Sequence, residues 1–94
     1  MTGLKNIPPK VRREVEERDN YTCIYCLKEF PKGEYRYQIA HYHSRNTHDN
    51  MRKENLVILC NECHQLSHQD LLKSRQIKDR MKRYLSKLYP EENY

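Results

Sequence analysis

The sequence predicts a small α+β domain, and three patterns along the chain indicate that fold class. Pro8 and Pro9 stand just before valines one helical turn apart, at Val11 and Val15, which is typical of a helix that begins at a proline. The segment YRYQIAHY alternates apolar with polar or small side chains, as a half-buried strand does. The run LVIL indicates a second short strand, and a helical pattern of side chains follows it.

The predicted elements occupy most of the 94 residues. They are a helix over residues 9–18, a strand that ends at His41, a polar loop over residues 44–53, a strand at residues 56–59, and helices over residues 61–73 and 74–88. No linker or shift in composition divides the chain, so we expect one domain over residues 1–94. Its expected parts are a flexible N-terminus at 1–7, a core at 8–73, and a basic helix and tail at 74–94.

The chain is basic, with 18 Lys and Arg against 13 Asp and Glu and a formal net charge of +5. This balance favours an anionic partner, and the alternative is a basic surface without a special partner. The start of the chain lacks the apolar stretch of a secretory signal, and the longest aliphatic run covers only residues 56–59. We therefore expect a cytoplasmic protein without a membrane span.

Four cysteines form two pairs, Cys23 with Cys26 and Cys60 with Cys63, and two residues separate the members of each pair. In a reducing compartment, a metal site explains such pairs better than disulfides do. Two tight turns that each supply two thiolates complete a closed tetrahedral shell, as in structural Zn²⁺ sites. A chain of 94 residues with a hydrophobic fraction of 36% can build only a small core, which needs such support. The sequence therefore predicts a structural zinc site.

Two histidines follow the second cysteine pair at helical spacing. His64 and His68 are four residues apart, so on a helix both imidazoles project from one face and can bind one metal ion from two sides. The alternative is a pair of polar side chains on an exposed helix, and the spacing alone does not decide between the two.

Several segments of the chain together resemble one protein family. These segments are VRREVEERDNYTCIYC, IAHYHSR and ENLVILCNECH. In that order and at that spacing they resemble the HNH endonucleases of the His-Me finger (ββα-metal) group, in the four-cysteine zinc-knuckle subtype of phages and bacteria. The resemblance extends from about Val11 to His68. It implies a ββα-metal finger with a treble-clef-like zinc knuckle, flanked by an N-terminal helix and a basic C-terminal helix.

The resemblance also implies a reaction and the residues that perform it. His41 matches the family's general base, Asn55 the residue that braces the hairpin and orients the base, and His64 a ligand of the catalytic metal ion. His68 resembles the second helical ligand of the colicin-type nucleases. The family hydrolyses DNA to 5′-phosphate and 3′-hydroxyl ends, so the resemblance implies a metal-dependent DNA endonuclease acting on duplex or structured DNA.

The chain departs from the family pattern just before the first histidine. Most zinc-knuckle members have a metal-binding Asp there, whereas this chain has Ala40. A site with two imidazoles and no such carboxylate is softer, so we expect Mn²⁺, Ni²⁺, Co²⁺ or Zn²⁺ to support activity at least as well as Mg²⁺. His43 is a further candidate for the metal shell or a phosphate contact, and Arg45 is expected either to contact a phosphate or to lie exposed. His48 is expected on the loop surface.

The last predicted helix combines an apolar stripe with many cations. The expected nucleic-acid contacts are Arg75, Lys78, Lys82, Arg83 and Lys87. The alternative is a solvated outer face on a helix that packs against the core.

Two other functions fit parts of the sequence. With Ala40 in place of the usual Asp, the domain could have lost its catalytic metal and become a zinc-knuckle module that only binds nucleic acid. The joint presence of the histidines and Asn55 favours the enzyme. An adaptor for another protein would use the final segment KLYPEENY, which we expect to be an exposed docking end. Small stand-alone HNH proteins of phages resemble this chain in size and work beside the packaging terminase, which implies a terminase as partner.

Overall fold

The structure is a computed structural model, and it describes residues 7–34, 36–43 and 51–94. Arg45 and His48, two of the residues singled out above, lie outside those ranges. The elements are, in chain order, α1 (Pro9–Arg18), β1 (Tyr37–His41), a 3₁₀ turn (Lys53–Asn55), β2 (Leu56–Cys60), α2 (Asn61–Gln69) and α3 (Leu71–Leu88). This is the small α+β architecture that the sequence predicts, with a hairpin and a following helix in the order ββα.

The first helix begins and ends where the local sequence favours it. α1 begins at Pro9, whose ring suits the first turn of a helix. It ends at Arg18, and Asn20 and Tyr21 then adopt positive φ angles of 55° and 53°, which reverse the chain. Asn tolerates this left-handed conformation well, whereas a Tyr there is uncommon. On the inner face of α1, Val15 is fully buried against the hairpin.

The two strands form an antiparallel hairpin in which every residue of β2 is buried. The register pairs Tyr37 with Cys60 and His41 with Leu56. Because side chains alternate along a strand, one side of β2 packs in a cluster with α1 and the other side packs in a cluster with α3. The strand is therefore the centre of the core, which explains why its sequence, LVILC, is apolar throughout.

The chain breaks between α2 and α3 earlier than the sequence predicts. The pattern predicts a helix over residues 61–73, but α2 ends at Gln69 and α3 begins at Leu71. The Asp70 carboxylate accepts a hydrogen bond of 3.0 Å from the Lys73 backbone N–H, which caps the new helix. α3 packs its predicted apolar stripe against the core. The buried members of the stripe are Ile77, Met81 and Leu85.

α3 is the longest of the helices. Even so, neither α3 nor any other helix in the described part of the chain is both long enough and apolar enough to cross a membrane.

A buried polar network joins α1, β2 and α3, and no local sequence pattern predicts it. The Asp19 carboxylate accepts hydrogen bonds of 2.7 and 3.1 Å from the Arg18 guanidinium. It also accepts hydrogen bonds from the Ile58 backbone N–H, at 3.0 Å, and from the Tyr84 hydroxyl. Burial opposes the charge of Arg18, but the bonds to Asp19 outweigh burial and raise the pKa of Arg18 above its ordinary value. The network therefore holds an ion pair inside the fold.

The C-terminal tail folds back beside the end of the hairpin, where Glu92 and Tyr94 are half-buried and Asn93 is exposed. The predicted exposed end is therefore only partly exposed, and its docking to another protein stays a prediction. The Tyr94 hydroxyl donates a hydrogen bond of 2.6 Å to the Glu54 carbonyl, and its ring packs edge-on against Tyr42, with the centroids 5.5 Å apart. The Glu92 carboxylate pairs with Arg52 at 2.7 Å. Burial, together with the charges of Glu92 and Glu54, raises the pKa of Tyr94 to about 12.

Candidate active site

The four cysteines come together, as their spacing predicts. The sulfur atoms of Cys23, Cys26, Cys60 and Cys63 all lie within 4.8 Å of one another. The Sγ atoms of Cys26 and Cys60 are 3.6 Å apart, close to the roughly 3.8 Å between thiolates that bind one tetrahedral Zn²⁺ at about 2.3 Å. The Cys63 N–H donates to the Cys60 sulfur at 3.3 Å, at the start of α2. These four residues, the cysteine cluster, are positioned to bind a structural zinc ion.

Crowding affects the protonation of the cysteine cluster. Burial, followed by the neighbouring thiols, raises the pKa of Cys63 well above its ordinary value, and the pKa of Cys26 is raised as well. Burial would also raise the pKa of Cys23, but hydrogen bonds from backbone N–H groups lower it. Since thiolates this close repel one another, a cation is what allows all four to be deprotonated together.

A buried asparagine connects the start of β2 to the residues that follow β1. The Oδ1 atom of Asn55 accepts a hydrogen bond of 2.7 Å from the His43 N–H, and its Nδ2 atom donates to the His43 carbonyl at 3.3 Å. The Asn55 carbonyl also accepts a hydrogen bond of 2.9 Å from the Tyr42 N–H. These bonds fix the backbone of the two residues directly after His41.

One cleft brings together three of the predicted histidines. It has a volume of about 330 Å³, and residues of β1, α2 and α3 line it. Its lining includes Ala40, His41, His64, His68 and Lys78. We refer to this space as the histidine cleft.

His41, the predicted base, is half-buried at the end of β1. Its Nε2 atom lies 3.4 Å from the sulfur of Met51. A thioether is only a weak hydrogen-bond acceptor, so this contact helps to position the ring while making little demand on its proton. Met51 is not among the predicted site residues, because no local sequence pattern connects it with a residue ten positions earlier.

His64 and His68 direct their Nε2 atoms toward each other, at a distance of 3.4 Å, with the rings inclined by 76°. Two imidazole nitrogens that lie about 2.1 Å from one ion are about 3.4 Å apart when the angle at the ion is about 108°, close to tetrahedral. The pair can therefore hold a divalent ion with little rearrangement. Among the residues that the structure describes, no third histidine, cysteine or carboxylate forms a ligand group with these two.

Ala40 lies in the wall of the histidine cleft and is only 6% exposed. Its methyl group cannot bind a cation, and no carboxylate is present among the lining residues within residues 7–34, 36–43 and 51–94. The departure from the family pattern therefore falls at the cleft itself.

His43, predicted as a helper of the metal or of a phosphate, lies outside the lining of the histidine cleft. It is exposed, its Nε2 atom lies 3.4 Å from the Asn93 carbonyl, and its ring stacks on that of Tyr94 at 6.4 Å. Arg45 and His48 belong to residues 44–50, outside the described ranges, so what the sequence predicts for them stays a prediction.

The predicted nucleic-acid contacts divide between different parts of α3. Lys78 lines the histidine cleft, whereas Arg83 and Lys87 line a separate groove together with Arg80. The other two contacts, Arg75 and Lys82, are exposed. Arg80 is not among the predicted contacts, although its spacing of three and seven residues from Arg83 and Lys87 places all three on one side of a helix.

The chain has also been compared with known proteins. A family model described as HNH endonuclease matches residues 23–70, about half of the chain. The matched residues include the cysteine cluster and the residues predicted for catalysis, which are His41, Asn55, His64 and His68. Neither the comparison with curated proteins nor that with solved structures finds a significant match. The order ββα and the cysteine cluster agree with the match, and the chain belongs to the HNH endonuclease family.

Proposed function

We propose that this protein is a metal-dependent DNA endonuclease that hydrolyses phosphodiester bonds to 5′-phosphate and 3′-hydroxyl ends. The observation that supports this best is the histidine cleft, which holds His41 together with His64 and His68. Hydrolysis of a phosphodiester needs a base for water and positive charge for phosphate oxygens. The cleft offers a candidate for each within one space of about 330 Å³, in a chain of a nuclease family.

We assign His41 as the general base. A neutral imidazole can take a proton from water at physiological pH. As the proton moves to the His41 ring, the water oxygen bonds to phosphorus and the bond from phosphorus to the 3′ oxygen breaks. The 3′ oxygen then takes a proton from solvent. Asn55 is assigned as a positioning residue, because its hydrogen bonds hold the backbone directly after His41.

We assign His64 and His68 as ligands of the catalytic ion. A divalent ion bound there supplies positive charge to the phosphate oxygens. Because imidazoles are softer ligands than carboxylates, we propose that Mn²⁺, Ni²⁺, Co²⁺ or Zn²⁺ supports activity at least as well as Mg²⁺.

Zn²⁺ in the cysteine cluster stabilises the fold, and residues 1–94 act as one domain. The substrate is duplex or structured DNA, which the cations of α3 contact along the phosphate backbone. The resemblance to small phage proteins extends the proposal to a packaging terminase as partner. Co-purification of the two proteins from infected cells would test that extension.

Plasmid cleavage over a panel of divalent ions tests the nuclease. Wild type should cleave with the softer ions, His41→Ala should lower the rate by about 10²- to 10⁴-fold, and His64→Ala should require more metal ion. His43→Ala is the matched control, because this histidine lies two positions from His41 and outside the histidine cleft. Cleavage by His41→Ala at the wild-type rate would disprove the assigned base, and activity with Mg²⁺ alone would disprove the metal preference.

A module that only binds nucleic acid is the second candidate, and Ala40 favours it. A cleft without the family's carboxylate binds a hard cation less well, so the domain could keep its zinc-supported fold and lose its reaction. Under this alternative, wild type shifts plasmid DNA in a gel but cleaves it with none of the ions. Zinc content does not separate the candidates, because both require the cysteine cluster.

A further inference from the structure

The cations of α3 fall on two sides of the stripe that packs this helix against the core. Ile77 and Met81 are buried, and Lys78 lies beside them in the lining of the histidine cleft. Arg80 follows Lys78 by two positions, about 200° around a helix, and lines a separate groove of about 570 Å³. α3 therefore presents only part of its charge to the cleft.

An aromatic ring holds Lys78 near the end of β1. Its Nζ atom lies 5.2 Å from the centroid of the Tyr42 ring, a distance at which a ring face attracts a cation. Tyr42 directly follows His41, and its N–H is bonded to the Asn55 carbonyl at 2.9 Å. The ring of Tyr42 also packs edge-on against that of Tyr94. The ring under Lys78 is thus fixed on the same short segment that carries His41.

Lys78 lies outside the residues that match the HNH family, which end at residue 70. It belongs to α3, which begins at Leu71 and is anchored in the core through Ile77, Met81 and Leu85. The cleft therefore contains a cation from a helix that is no part of the matched pattern.

We propose that Lys78 binds a non-bridging oxygen of the phosphodiester that is cleaved, and that Tyr42 positions its ammonium group for this contact. The inference rests on the proposed nuclease function. Lys78 shares a cleft of about 330 Å³ with His41 and the pair His64 and His68, so a phosphate group between the histidines lies within reach of its flexible side chain. As water attacks phosphorus, the phosphate oxygens gain negative charge, which a positioned ammonium group stabilises.

Kinetics distinguishes a contact to the cleaved phosphate from a contact to a flanking phosphate. A flanking contact stabilises bound DNA equally before and during the reaction, so its loss raises the half-saturating DNA concentration and leaves the saturating rate unchanged. A contact that becomes stronger in the transition state lowers the saturating rate when it is lost. The proposal for Lys78 requires the second result.

The test is single-turnover cleavage of plasmid DNA by zinc-loaded protein with the activating ion found in the panel. We expect Lys78→Met to lower the rate at saturating DNA by about 10- to 100-fold, and Lys78→Arg, which keeps the charge, to lower it less. Lys10→Met removes one exposed cation of α1 and should leave the rate unchanged, which controls for the loss of net charge. Circular dichroism and zinc content show whether each variant is folded.

Two variants of Tyr42 test the positioning. Tyr42→Phe keeps the ring face and should lower the saturating rate less than Tyr42→Leu, which removes that face; the loss in Tyr42→Leu should in turn be smaller than that in Lys78→Met. In the Lys78→Met background, Tyr42→Leu should have no further effect, because the cation that it positions is gone. If the ring had a merely structural role, Tyr42→Leu would lower the saturating rate equally in the wild-type and Lys78→Met backgrounds. That result would overturn the proposal that Tyr42 positions Lys78.

The possible failures can be told apart. If wild type cleaves with none of the ions, the nuclease function fails and the inference fails with it. If wild type cleaves and Lys78→Met reaches the same saturating rate, with only a higher half-saturating DNA concentration, then Lys78 binds a flanking phosphate and the inference alone is wrong.

Discussion

The cysteine cluster and the histidine cleft differ in how many candidate metal ligands the protein supplies. The cluster brings four sulfur atoms within 4.8 Å of one another, whereas the cleft offers two imidazole nitrogens 3.4 Å apart. A closed shell of four suits an ion that stabilises a fold, and two ligands leave coordination positions for water and phosphate. The two sites adjoin the same hairpin and the same helix, yet they are suited to opposite tasks.

The two sites also differ in exposure, which predicts how each would hold its ion. Three of the four cysteines are buried and Cys26 is exposed, whereas His64 is half-exposed and His68 is exposed. An ion in the cluster would have to break bonds to three buried thiolates before it left, but an ion at the histidine pair could exchange with solvent. We therefore expect zinc to stay with the purified protein and the catalytic ion to depend on its concentration in the buffer.

Removal of the structural zinc has the largest expected effect. Binding of structural Zn²⁺ contributes about 10–16 kcal/mol in small zinc domains, as much as the whole stability of an ordinary domain. We expect a strong chelator, or the substitution Cys60→Ser, to abolish the folded circular dichroism spectrum and its cooperative thermal transition. Elemental analysis should find one zinc per chain in the untreated protein.

A variant without the histidine pair is the control for this experiment, because a chelator would also remove the proposed catalytic ion. The double variant His64→Ala, His68→Ala should keep its zinc and its thermal transition while losing cleavage. If the chelated protein still melts cooperatively, the cysteine cluster does not have the structural task assigned to it, since the apolar core would then hold the fold without zinc.

The buried pair of Arg18 and Asp19 is the second support of the fold, and its loss should have the next largest effect. Asp19→Ala leaves the guanidinium without its carboxylate and should lower the free energy of unfolding by about 3–5 kcal/mol. Asp79→Ala removes an exposed carboxylate that pairs with Arg83 at 3.0 Å, so it should change stability by less than about 1 kcal/mol. Urea unfolding of the zinc-loaded proteins measures both. Equal effects would show that the network contributes no more than a surface pair.

The parts of this structure that the sequence predicts are those specified by neighbouring residues. Pro9 and the valine spacing predict α1, apolar runs predict the strands, and each cysteine pair defines one tight turn. The sequence places the end of α2 too late, because Asp70 ends one helix and caps the next, and a continuous helical pattern conceals that change.

The parts that the sequence does not predict depend on contacts between distant residues. The sequence indicates only that Asp19 ends a helix. Its hydrogen-bond partners, however, include Ile58 and Tyr84, which are 39 and 65 positions away. Likewise, helical spacing shows that Lys78 and Arg83 occupy different sides of α3, but only packing against the hairpin decides which of them enters the histidine cleft.

A carboxylate at position 40 would make the histidine cleft more like a complete metal site. Ala40→Asp should increase affinity for Mn²⁺ and Mg²⁺ by at least the roughly 10- to 100-fold that an outer-shell partner of a metal contributes. Titration of the zinc-loaded protein with Mn²⁺, followed by calorimetry, measures this without an activity assay. Because position 40 is buried, the variant should also melt lower than wild type when no ion is added.

Ala40→Asn is the matched control, since it adds a side chain of the same size without charge. It should share the loss of thermal stability and gain little affinity for Mn²⁺. If the two variants bind Mn²⁺ equally well, position 40 does not face the ion, and the softness of the site has another cause.

The smallest expected effect concerns the tail that packs beside the histidine cleft. The pKa of Tyr94 is raised to about 12 in the folded protein, against about 10 for an ordinary tyrosine. A raised folded pKa means that the unfolded chain releases the proton first. The stability that Tyr94 contributes is therefore complete below about pH 10 and is lost as the pH rises toward about 12. The phenolate can no longer donate its hydrogen bond to the Glu54 carbonyl.

Urea unfolding of the zinc-loaded protein at pH 8 and pH 11 measures this loss, with Tyr94→Phe as the comparison. At pH 8 the variant should be less stable by on the order of 1 kcal/mol, the value of one hydrogen bond, and the difference should shrink at pH 11. The pKa of Tyr84 is also raised, by burial and by Asp19. Because Tyr84 is present in both proteins, it lowers the free energy of unfolding of both by the same amount as the pH rises. The cysteine cluster binds zinc as thiolates, so raising the pH does not displace the zinc by protonating its ligands. The loss of stability that wild type shows and Tyr94→Phe does not therefore arises at the tail. If both proteins lose stability in parallel, the tail is not attached through Tyr94.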